Sequence, residues 1–199
     1  VKHTRFPDGE LYLQRDDIDG ETVVVGSIVD SESLVQLLLL MDACEGSRIT
    51  LVIPYMGYAR QDKQFHPGEP LSARAIARTV TSGAGRVLTV NIHDPGVLRY
   101  FPVTAEDISV AGEIGGYLAS MNLEDPLILA PDDGAEHFAS QVASVGAWDY
   151  DHLEKTRISG TEVKIAPKDL PVEGRDVVIT DDIISTGGTL ATAATLLRS

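Results

Sequence analysis

Residues 177–189 hold the strongest concentration of chemical groups in the sequence. A short apolar run ends in two adjacent carboxylates, Asp181 and Asp182, and a polar loop then opens a helical pattern. Backbone N–H groups at the start of a helix, glycines that permit close approach and hydroxyl donors together favour the binding of a phosphate. The candidate phosphate ligands are Ser185, Thr186, Gly187, Gly188 and Thr189.

The two carboxylates of this loop need a partner other than the phosphate, which they would repel. Asp181 and Asp182 can accept hydrogen bonds from sugar hydroxyls or face a cation beside the phosphate. The loop is not the lysine-containing loop of many ATP-binding proteins, because its acids precede the glycines and no lysine follows them. It therefore predicts a sugar-phosphate site, with a capped helix after a tight turn as the structural alternative.

The acidic composition restricts the class of partner. The chain has 16 Lys and Arg residues against 30 Asp and Glu residues, a formal net charge of −14, which argues against nucleic acid and membranes as partners. The longest apolar run, residues 34–41, is far shorter than the roughly 20 residues that cross a bilayer. The single Cys44 cannot form an internal disulfide, which indicates a buried thiol and a cytoplasmic location.

The elements that must position the loop alternate between short apolar runs and helical patterns. Nearly continuous apolar runs are typical of strands covered on both faces, as in a parallel sheet. The predicted strands are residues 22–29, 48–55, 86–92, 126–130 and 176–180, with 102–109 as a connecting strand. The predicted helices are residues 33–44, with Asp30 and Ser31 as possible caps, 72–82, 110–121, 135–145 and 190–197. This rhythm predicts an α/β fold in two similar lobes, residues 1–109 and 110–199.

Three further segments place polar and charged groups in loops. Residues 5–10 surround an aromatic ring with polar groups, and residues 53–63 carry a predicted strand into a cationic loop. Residues 149–157 place Lys155 and Arg157 two apart in a protein that is short of positive charge. With the loop at 177–189, these segments resemble the signatures of the ribose-phosphate diphosphokinase (PRPP synthetase) family, particularly its archaeal-type members. The loop alone is also similar to the PRPP loop of type I phosphoribosyltransferases.

The resemblance implies a reaction and a fold. Members of the family transfer the diphosphoryl group of ATP to the 1-hydroxyl of ribose 5-phosphate, giving PRPP and AMP. Their fold is two phosphoribosyltransferase-like lobes, each a mainly parallel sheet flanked by helices. Residues 1–109 are then expected on the ATP side and 110–199 on the ribose 5-phosphate side, without outer parts that family members carry. A homo-oligomer, a dimer or a multiple of dimers, is also implied.

The resemblance assigns nucleotide ligands in the first lobe. Phe6 is expected to stack on adenine, while Asp8 and Glu10 contact the edge of the base. Arg60 and Gln61 are expected to contact the nucleotide, with Arg60 close to its phosphates. For Phe6 the alternative is a core aromatic at the end of a strand.

The resemblance also implies Mg²⁺ as cofactor, with His93 and Asp132 as its ligands and Asp133 as an alternative to Asp132. A carboxylate is chemically suited to Mg²⁺, whereas a histidine is not its preferred ligand, so the assignment of His93 comes from the resemblance alone. Asn91 stands where the family commonly has an acid.

Lys155 and Arg157 match the catalytic loop of the family. Transfer at the β-phosphorus spreads negative charge over nonbridging oxygens, and positioned cations stabilise that charge. Arg157, Asp181, Asp182 and the hydroxyl-and-glycine loop at 185–189 are expected to hold ribose 5-phosphate.

Two other functions stay open at this point. A phosphoribosyltransferase of nucleotide salvage would share the loop at 181–189 but would not need the other three segments. A non-catalytic regulatory relative would bind nucleotides and partner subunits, and the presence of Lys155, Arg157 and His93 argues against it.

Overall fold

The computed structural model describes residues 1–18, 20–157, 163–166 and 170–197, and for residues 155–157 and 163–166 it describes the backbone alone. The chain divides into two compact units, Val1–Ser109 and Val110–Ser199, named unit 1 and unit 2. The helices are α1 Ser31–Ala43, α2 Ser72–Val80, α3 Ala111–Ala119, α4 Glu136–Ser144 and α5 Gly188–Leu197, with 3₁₀ helices at Pro95–Tyr100 and Asp133–Ala135. The strands are β1 Lys2–Arg5, β2 Leu11–Gln14, β3 Glu21–Val25, β4 Arg48–Ile53, β5 Ala84–Val90, β6 Thr104–Ile108, β7 Leu127–Ala130, β8 Asp149–His152, β9 Glu154–Arg157, β10 Val163–Ala166 and β11 Val177–Ile179.

Unit 1 is organised around a four-stranded sheet in the order β3-β4-β5-β6, in which every neighbouring pair is parallel. Its apolar strands supply a core in which Leu51, Ile53 and Val87 are fully buried. Helices α1 and α2, which pack against each other, connect successive parallel strands. Because the strands are parallel, the loops that follow β3, β4 and β5 emerge at one edge of the sheet, where α/β folds bind ligands.

Helix α1 begins with a capping box. The side chain of Asp30 accepts a hydrogen bond from the backbone N–H of Ser33 (2.7 Å), and the Ser33 hydroxyl oxygen accepts one from the backbone N–H of Asp30 (2.9 Å). The hydrogen bond that the Ser33 backbone N–H donates to it holds the pKa of the Asp30 carboxyl below its usual value. The predicted capping role of Asp30 is confirmed, and the first turn of α1 is fixed to the chain that enters it.

Unit 2 contains a three-stranded parallel sheet in the order β11-β7-β8. Strand β7 is buried along its whole length, as its continuous apolar sequence predicts. Helices α3 and α4 pack against each other, and α4 lies against β7 and β8. Fully buried Ile128, Ala139 and Val142 belong to this core.

Two antiparallel hairpins, β1 with β2 and β9 with β10, do not appear among the predicted strands. Strand β1 is exposed throughout and β2 alternates between half-buried and exposed residues, so neither shows the apolar run used to recognise strands. Residues 102–109, predicted as a connecting strand, contain β6, which is an edge strand of the unit 1 sheet. None of the helices in the described ranges is long and apolar enough to cross a membrane.

Candidate active site

The turn of the first hairpin, residues 6–10, is closed by its own backbone. The N–H of Phe6 donates to the carbonyl oxygen of Glu10 and the N–H of Gly9 donates to that of Phe6, both at 2.9 Å. The Arg5 guanidinium donates to the carbonyl oxygen of Gly9 (2.9 Å), and an Asp8 carboxylate oxygen accepts from the Glu10 N–H (3.2 Å). The loop that contains Phe6, Asp8 and Glu10 is therefore held by its own hydrogen bonds.

Phe6 is an exposed aromatic residue in this ordered turn. It is 49% exposed, and its ring meets the Tyr12 ring edge to face, with 5.6 Å between centroids. The alternative of a core aromatic is wrong, because a core ring would be enclosed by apolar side chains. A half-exposed ring held in place by a second ring suits stacking on a planar ligand.

The loop after β4 is held by a close backbone approach. The Gly57 N–H donates to the carbonyl oxygen of Ile28 (2.9 Å), and a Cβ atom at position 57 would lie only 2.2 Å from that oxygen. Tyr58 then adopts a left-handed conformation, with φ of 66°. These constraints turn the chain so that Arg60 is exposed.

Gln61, in contrast, ties this loop to α2. Its backbone carbonyl oxygen accepts from the Ala73 N–H (3.2 Å), and its side-chain oxygen accepts from the Ser72 hydroxyl. The two predicted nucleotide ligands of this loop thus differ. Arg60 presents an exposed cation, whereas Gln61 is half-buried and serves the start of a helix.

The turn after β5 carries His93, whose side chain is exposed. Asp107, on the neighbouring strand β6, accepts hydrogen bonds from the Thr89 hydroxyl (2.5 Å) and from the backbone N–H of Ile92 (3.0 Å). Asn91 is left-handed, with φ of 45°, a conformation that asparagine tolerates better than most residues. Asp107 braces the His93 turn and was missed by sequence reasoning, since nothing in the sequence pairs it with Thr89 and Ile92.

In unit 2, two loops with carboxylates leave neighbouring parallel strands. Asp132 follows β7 and Asp181 follows β11. Burial raises the pKa of Asp181 to about 6, and a side-chain hydrogen bond that protonated Asp181 donates to Asp182, together with the negative charges of Asp182 and Asp132, acts in the same direction. The hydrogen bond that the Asp182 N–H donates to Asp181 opposes the rise. The hydroxyl of Thr180 is buried without a hydrogen-bond partner among the described residues. A cation or sugar hydroxyls would relieve both features.

The loop at 183–188 opens helix α5 with a glycine in the left-handed region. Gly187 has φ of 75°, and no atom lies within 4 Å of a Cβ built on it. The Gly188 N–H faces the Thr186 hydroxyl at 3.4 Å, while Ser185 and Thr186 are exposed. An exposed turn of backbone N–H groups and hydroxyls at a helix start is the arrangement that binds phosphate.

Lys155 and Arg157 lie on β9, which pairs antiparallel with β10 in the register Lys155 with Ile165 and Arg157 with Val163. Their side chains lie outside the described part of the structure. Buried Leu153 precedes this hairpin and donates its N–H to the carbonyl oxygen of Ala130 (3.0 Å), so the base of the hairpin is anchored beside the end of β7.

Among the described residues, no group of three or more His, Cys, Asp or Glu side chains is arranged to hold a metal ion. His93 belongs to unit 1 and Asp132 to unit 2.

Comparison with protein families covers most of the chain. Residues 1–84 match the N-terminal domain of ribose phosphate pyrophosphokinase, another name for the diphosphokinase, and residues 106–199 match the phosphoribosyl transferase domain. The first match lies within unit 1, and the second lies mainly in unit 2.

Individual relatives carry the same enzyme name. Ribose-phosphate pyrophosphokinase of Methanosarcina mazei is 52% identical over 98% of this chain and 66% of its own length. The Methanopyrus kandleri enzyme is 47% identical, over 100% of this chain and 70% of its own. The Halobacterium salinarum enzyme is 44% identical, over 99% and 72%. The chain therefore spans roughly two thirds of the length of these relatives.

A solved structure matches the whole fold. The crystal structure of phosphoribosylpyrophosphate synthetase from Mycobacterium smegmatis aligns with a TM-score of 0.81 and 30% identity, covering 99% of this chain and 67% of that one. These findings confirm the predicted α/β fold with a phosphoribosyltransferase-type domain and the predicted enzyme class. The chain belongs to the ribose-phosphate pyrophosphokinase family.

Proposed function

We propose that the protein transfers the diphosphoryl group of ATP to the 1-hydroxyl of ribose 5-phosphate, releasing AMP and forming PRPP. The observation that carries the proposal is the presence of both substrate-binding motifs in one chain. Unit 1 has an ordered turn with an exposed Phe6, and unit 2 has an acid-then-glycine loop at a helix start.

ATP is assigned to unit 1. Phe6 stacks on adenine, and the side chains of Asp8 and Glu10 contact the edge of the base. Arg60, which is exposed in the loop after β4, contacts the phosphates. Gln61 also contacts the nucleotide. Its side chain ties the same loop to the start of α2.

Ribose 5-phosphate is assigned to unit 2. Asp181 and Asp182 accept hydrogen bonds from the ribose hydroxyls, which would offset the desolvation that raises the pKa of Asp181. The 5-phosphate lies against the start of α5, where Gly187 lets the backbone turn towards it. Its ligands are Ser185, Thr186, Gly187, Gly188, Thr189 and Arg157.

Mg²⁺ is proposed to bind through His93 and Asp132, with Asp133 as the alternative carboxylate. Mg²⁺ is commonly held by one or two protein groups together with substrate phosphates and water, so a three-residue protein cluster is not required. The crowding of Asp132, Asp181 and Asp182 fits a cation in unit 2. When bound, Mg²⁺ neutralises charge on the phosphate oxygens.

Lys155 and Arg157 are proposed as the catalytic cations. Both lie on one strand of a hairpin that starts next to the end of β7, the strand that leads to Asp132. Their positive charge would stabilise the charge that spreads over the β-phosphate as its bond to the α-phosphate oxygen breaks. The reaction then needs positioning and charge, with no covalent enzyme intermediate.

Two rival functions make different predictions. A salvage phosphoribosyltransferase would consume PRPP and a base, and it has no use for the Phe6 turn. A non-catalytic regulatory subunit would bind nucleotide without turning it over. The relatives named above are pyrophosphokinases, which supports the first proposal over both rivals.

The deciding experiment follows AMP by mass spectrometry in the complete gene product given ATP, Mg²⁺ and ribose 5-phosphate. AMP and PRPP formation is expected. Formation of a nucleotide from PRPP and a purine or pyrimidine, without AMP formation from ATP, would establish the salvage enzyme instead.

The catalytic assignment is tested by Lys155→Ala. Turnover should fall by about 10²-fold or more, because a positioned cation is worth that much in phosphoryl transfer, while ribose 5-phosphate still binds. Lys164→Ala, on the paired strand β10, is the matched control and should keep its turnover. Near-normal turnover of Lys155→Ala would remove Lys155 from the catalytic set.

A cytoplasmic homo-oligomer, a dimer or a multiple of dimers, is proposed as the working form. The free Cys44 is buried, in keeping with a reducing compartment. Sedimentation velocity of the complete gene product should give a species of at least two chains, and a concentration-independent monomer would contradict this.

A further inference from the structure

His152 lies where strand β8 ends and the hairpin that carries Lys155 and Arg157 begins. Its backbone pairs with Ala130 of β7, and its N–H donates to the Asp151 carboxylate (2.8 Å). The side chain is only 24% exposed. His152 is thus the last residue of the three-stranded sheet before a segment that the proposed function makes catalytic.

The base of this hairpin is held from both faces of the sheet. Ala130 belongs to the core that α4 covers, and His152, its register partner, lies on the same face. The next residue, Leu153, is buried in a cluster with Leu129 and with Ala193 of α5. The hairpin therefore leaves the sheet between a polar contact on the α4 face and an apolar contact on the α5 face.

The polar contact is made by Glu136, the first residue of α4. A Glu136 carboxylate oxygen lies 3.4 Å from Nδ1 of His152, and an Asp151 carboxylate oxygen lies 3.8 Å from the same nitrogen. Nδ1 is buried and makes no directed hydrogen bond within the described residues. An imidazole that carries a proton on Nδ1 presents a positive edge to both carboxylates, and burial of this nitrogen limits screening by solvent.

Glu136 connects this contact to the loop after β7. Its N–H donates to the carbonyl oxygen of Asp133, and the 3₁₀ turn Asp133–Ala135 leads from Asp132 directly into α4. The loop after β7 and the hairpin after β8 leave neighbouring parallel strands. The contact between Glu136 and His152 therefore joins the turn of the proposed metal ligand to the base of the proposed catalytic hairpin.

We propose that Glu136 and His152 are a positioning pair, which sets the direction in which the hairpin of Lys155 and Arg157 leaves the sheet. The proposal rests on the proposed function for the reaction that the hairpin serves. The pair acts through the two cations, which stabilise a transition state only when they are held in place beforehand. A small displacement of a catalytic group is costly in rate. Loss of the pair should therefore lower kcat and leave the KM values of both substrates unchanged.

A purely structural role for Glu136 makes a different prediction. A carboxylate in the first turn of a helix stabilises that helix through its dipole, and Glu113 has this place in α3. If Glu136 did only this, its substitution would lower the unfolding temperature without lowering kcat. The Glu136 side chain is 44% exposed, so its ion pair contributes little to the stability of the fold.

The test measures kcat and KM for Glu136→Gln, His152→Ala and the double variant in the complete gene product. The kcat should fall about 5-fold in each single variant, equivalent to about 1 kcal/mol. It should fall no further in the double variant, because both substitutions break the same contact. The KM values for ATP and ribose 5-phosphate should stay within about 2-fold of the parent values. His152→Asn, whose side chain can place an N–H near the position of Nδ1, should regain most of the lost kcat.

Two substitutions serve as matched controls. His137→Ala removes an exposed imidazole next to Glu136 on the same helix, and Glu113→Gln removes the first-turn carboxylate of α3. Both should keep the kcat of the parent. Unchanged kcat in the single variants, additive losses in the double variant, or an equal loss in the controls would overturn the pair.

Hydrogen exchange separates failure of the pair from failure of the proposed function. The backbone N–H groups of residues 153–157 should exchange about 5-fold faster in Glu136→Gln and His152→Ala than in the parent or the controls, while β3 and β4 keep their rates. This result would support the pair even if the parent protein formed no AMP from ATP. Equal exchange at 153–157 in all variants would overturn it, whether or not AMP is formed.

Discussion

One polar side-chain network lies at the carboxyl ends of the parallel strands in unit 1, and another lies at the amino ends of the strands in unit 2. In unit 1 the Glu32 carboxylate at the start of α1 forms an ion pair with Arg5, which precedes the turn at 6–10. The Ser31 hydroxyl of the same helix lies 2.7 Å from that of Tyr58, in the loop after β4. Both contacts lie at the carboxyl ends of the strands, where ligands bind.

In unit 2 the network centres on Arg175, which precedes β11. Arg175 contacts Asp125, before β7, and Asp149, the first residue of β8.

The carboxyl ends of unit 2 are held differently. In the loop at 181–188, the Asp182 N–H donates to the Asp181 carboxylate (2.9 Å) and the Gly188 N–H donates to the Thr186 hydroxyl (3.4 Å), so both bonds join close neighbours. The contacts described thus join the unit 1 loops to α1, a different element, whereas those of the unit 2 loop at 181–188 stay within the loop.

Substitution of two glycines by alanine should separate these two kinds of loop, with the largest effect in unit 1. Gly57→Ala places a Cβ 2.2 Å from the Ile28 carbonyl oxygen, a clash with backbone that no rotamer can relieve. We expect a loss of about 3 kcal/mol in the free energy of unfolding. Gly187→Ala meets open space and a φ of 75°, so it should cost only about 1 kcal/mol.

Urea unfolding measures both losses, and titration with each substrate shows where binding changes. Gly57→Ala should weaken the binding of ATP, and Gly187→Ala should weaken the binding of ribose 5-phosphate. Equal losses of stability in the two variants would contradict the distinction between a backbone-pinned loop and an open one.

Arg175→Ala should give the next largest effect, at the opposite end of unit 2 from its loop. The Arg175 side chain is 10% exposed, and its guanidinium lies 2.9 Å from a carboxylate oxygen of both Asp125 and Asp149. It also donates to the backbone carbonyl oxygen of Asp125 (3.0 Å). Removing these charge-assisted bonds should lower the free energy of unfolding by about 2 kcal/mol.

Hydrogen exchange read by mass spectrometry locates this loss, which should appear in β7, β8 and β11. Arg86→Ala is the matched control, because its ion pair with Glu106 (2.8 Å) is about half exposed and should contribute about 0.5 kcal/mol. Similar losses from Arg86→Ala and Arg175→Ala would show that the Arg175 network does not brace unit 2.

The parallel core could be predicted from sequence because its information is local. Runs such as β7 are apolar at every position. Asp30 marks the start of α1, and its capping partner Ser33 is only three residues away. The loop at 177–189 was recognised for the same reason, since its acids, glycines and hydroxyls are consecutive.

The contacts that hold the unit 1 loops are not local. Arg5 and Glu32 are 27 residues apart, as are Ser31 and Tyr58. Asp107 is 15 residues from Ile92, and its carboxylate accepts a hydrogen bond from the Ile92 N–H. One sequence carries no pattern for such pairs, and the polar strand β1 lacks the apolar alternation that would have revealed the hairpin.

The smallest predicted effect concerns Asp181 and has a pH dependence. Burial, aided by Asp182 and Asp132, raises the pKa of Asp181 from 3.8 to about 6. A carboxyl whose pKa is raised by folding stabilises the folded state when protonated, so this contribution is complete below about pH 4 and is lost as the pH rises through 6. At pH 8 the folded protein therefore contains a desolvated carboxylate at a cost to stability.

Asp181→Asn removes that carboxylate and should raise the free energy of unfolding at pH 8 by about 1 kcal/mol, a value reduced because the site is half exposed to solvent. The gain should stay nearly constant from pH 8 to about pH 7 and shrink between about pH 6 and pH 4, the interval between the folded and unfolded pKa values, in urea unfolding with EDTA present. Thr195→Ala, a substitution in α5 without a titrating group, should leave the pH profile of the parent unchanged. Parallel profiles for Asp181→Asn and the parent would mean that Asp181 is well solvated. The unit 2 loop would then store no electrostatic strain for the sugar hydroxyls or a cation to relieve, and its difference from the loops of unit 1 would be one of contacts alone.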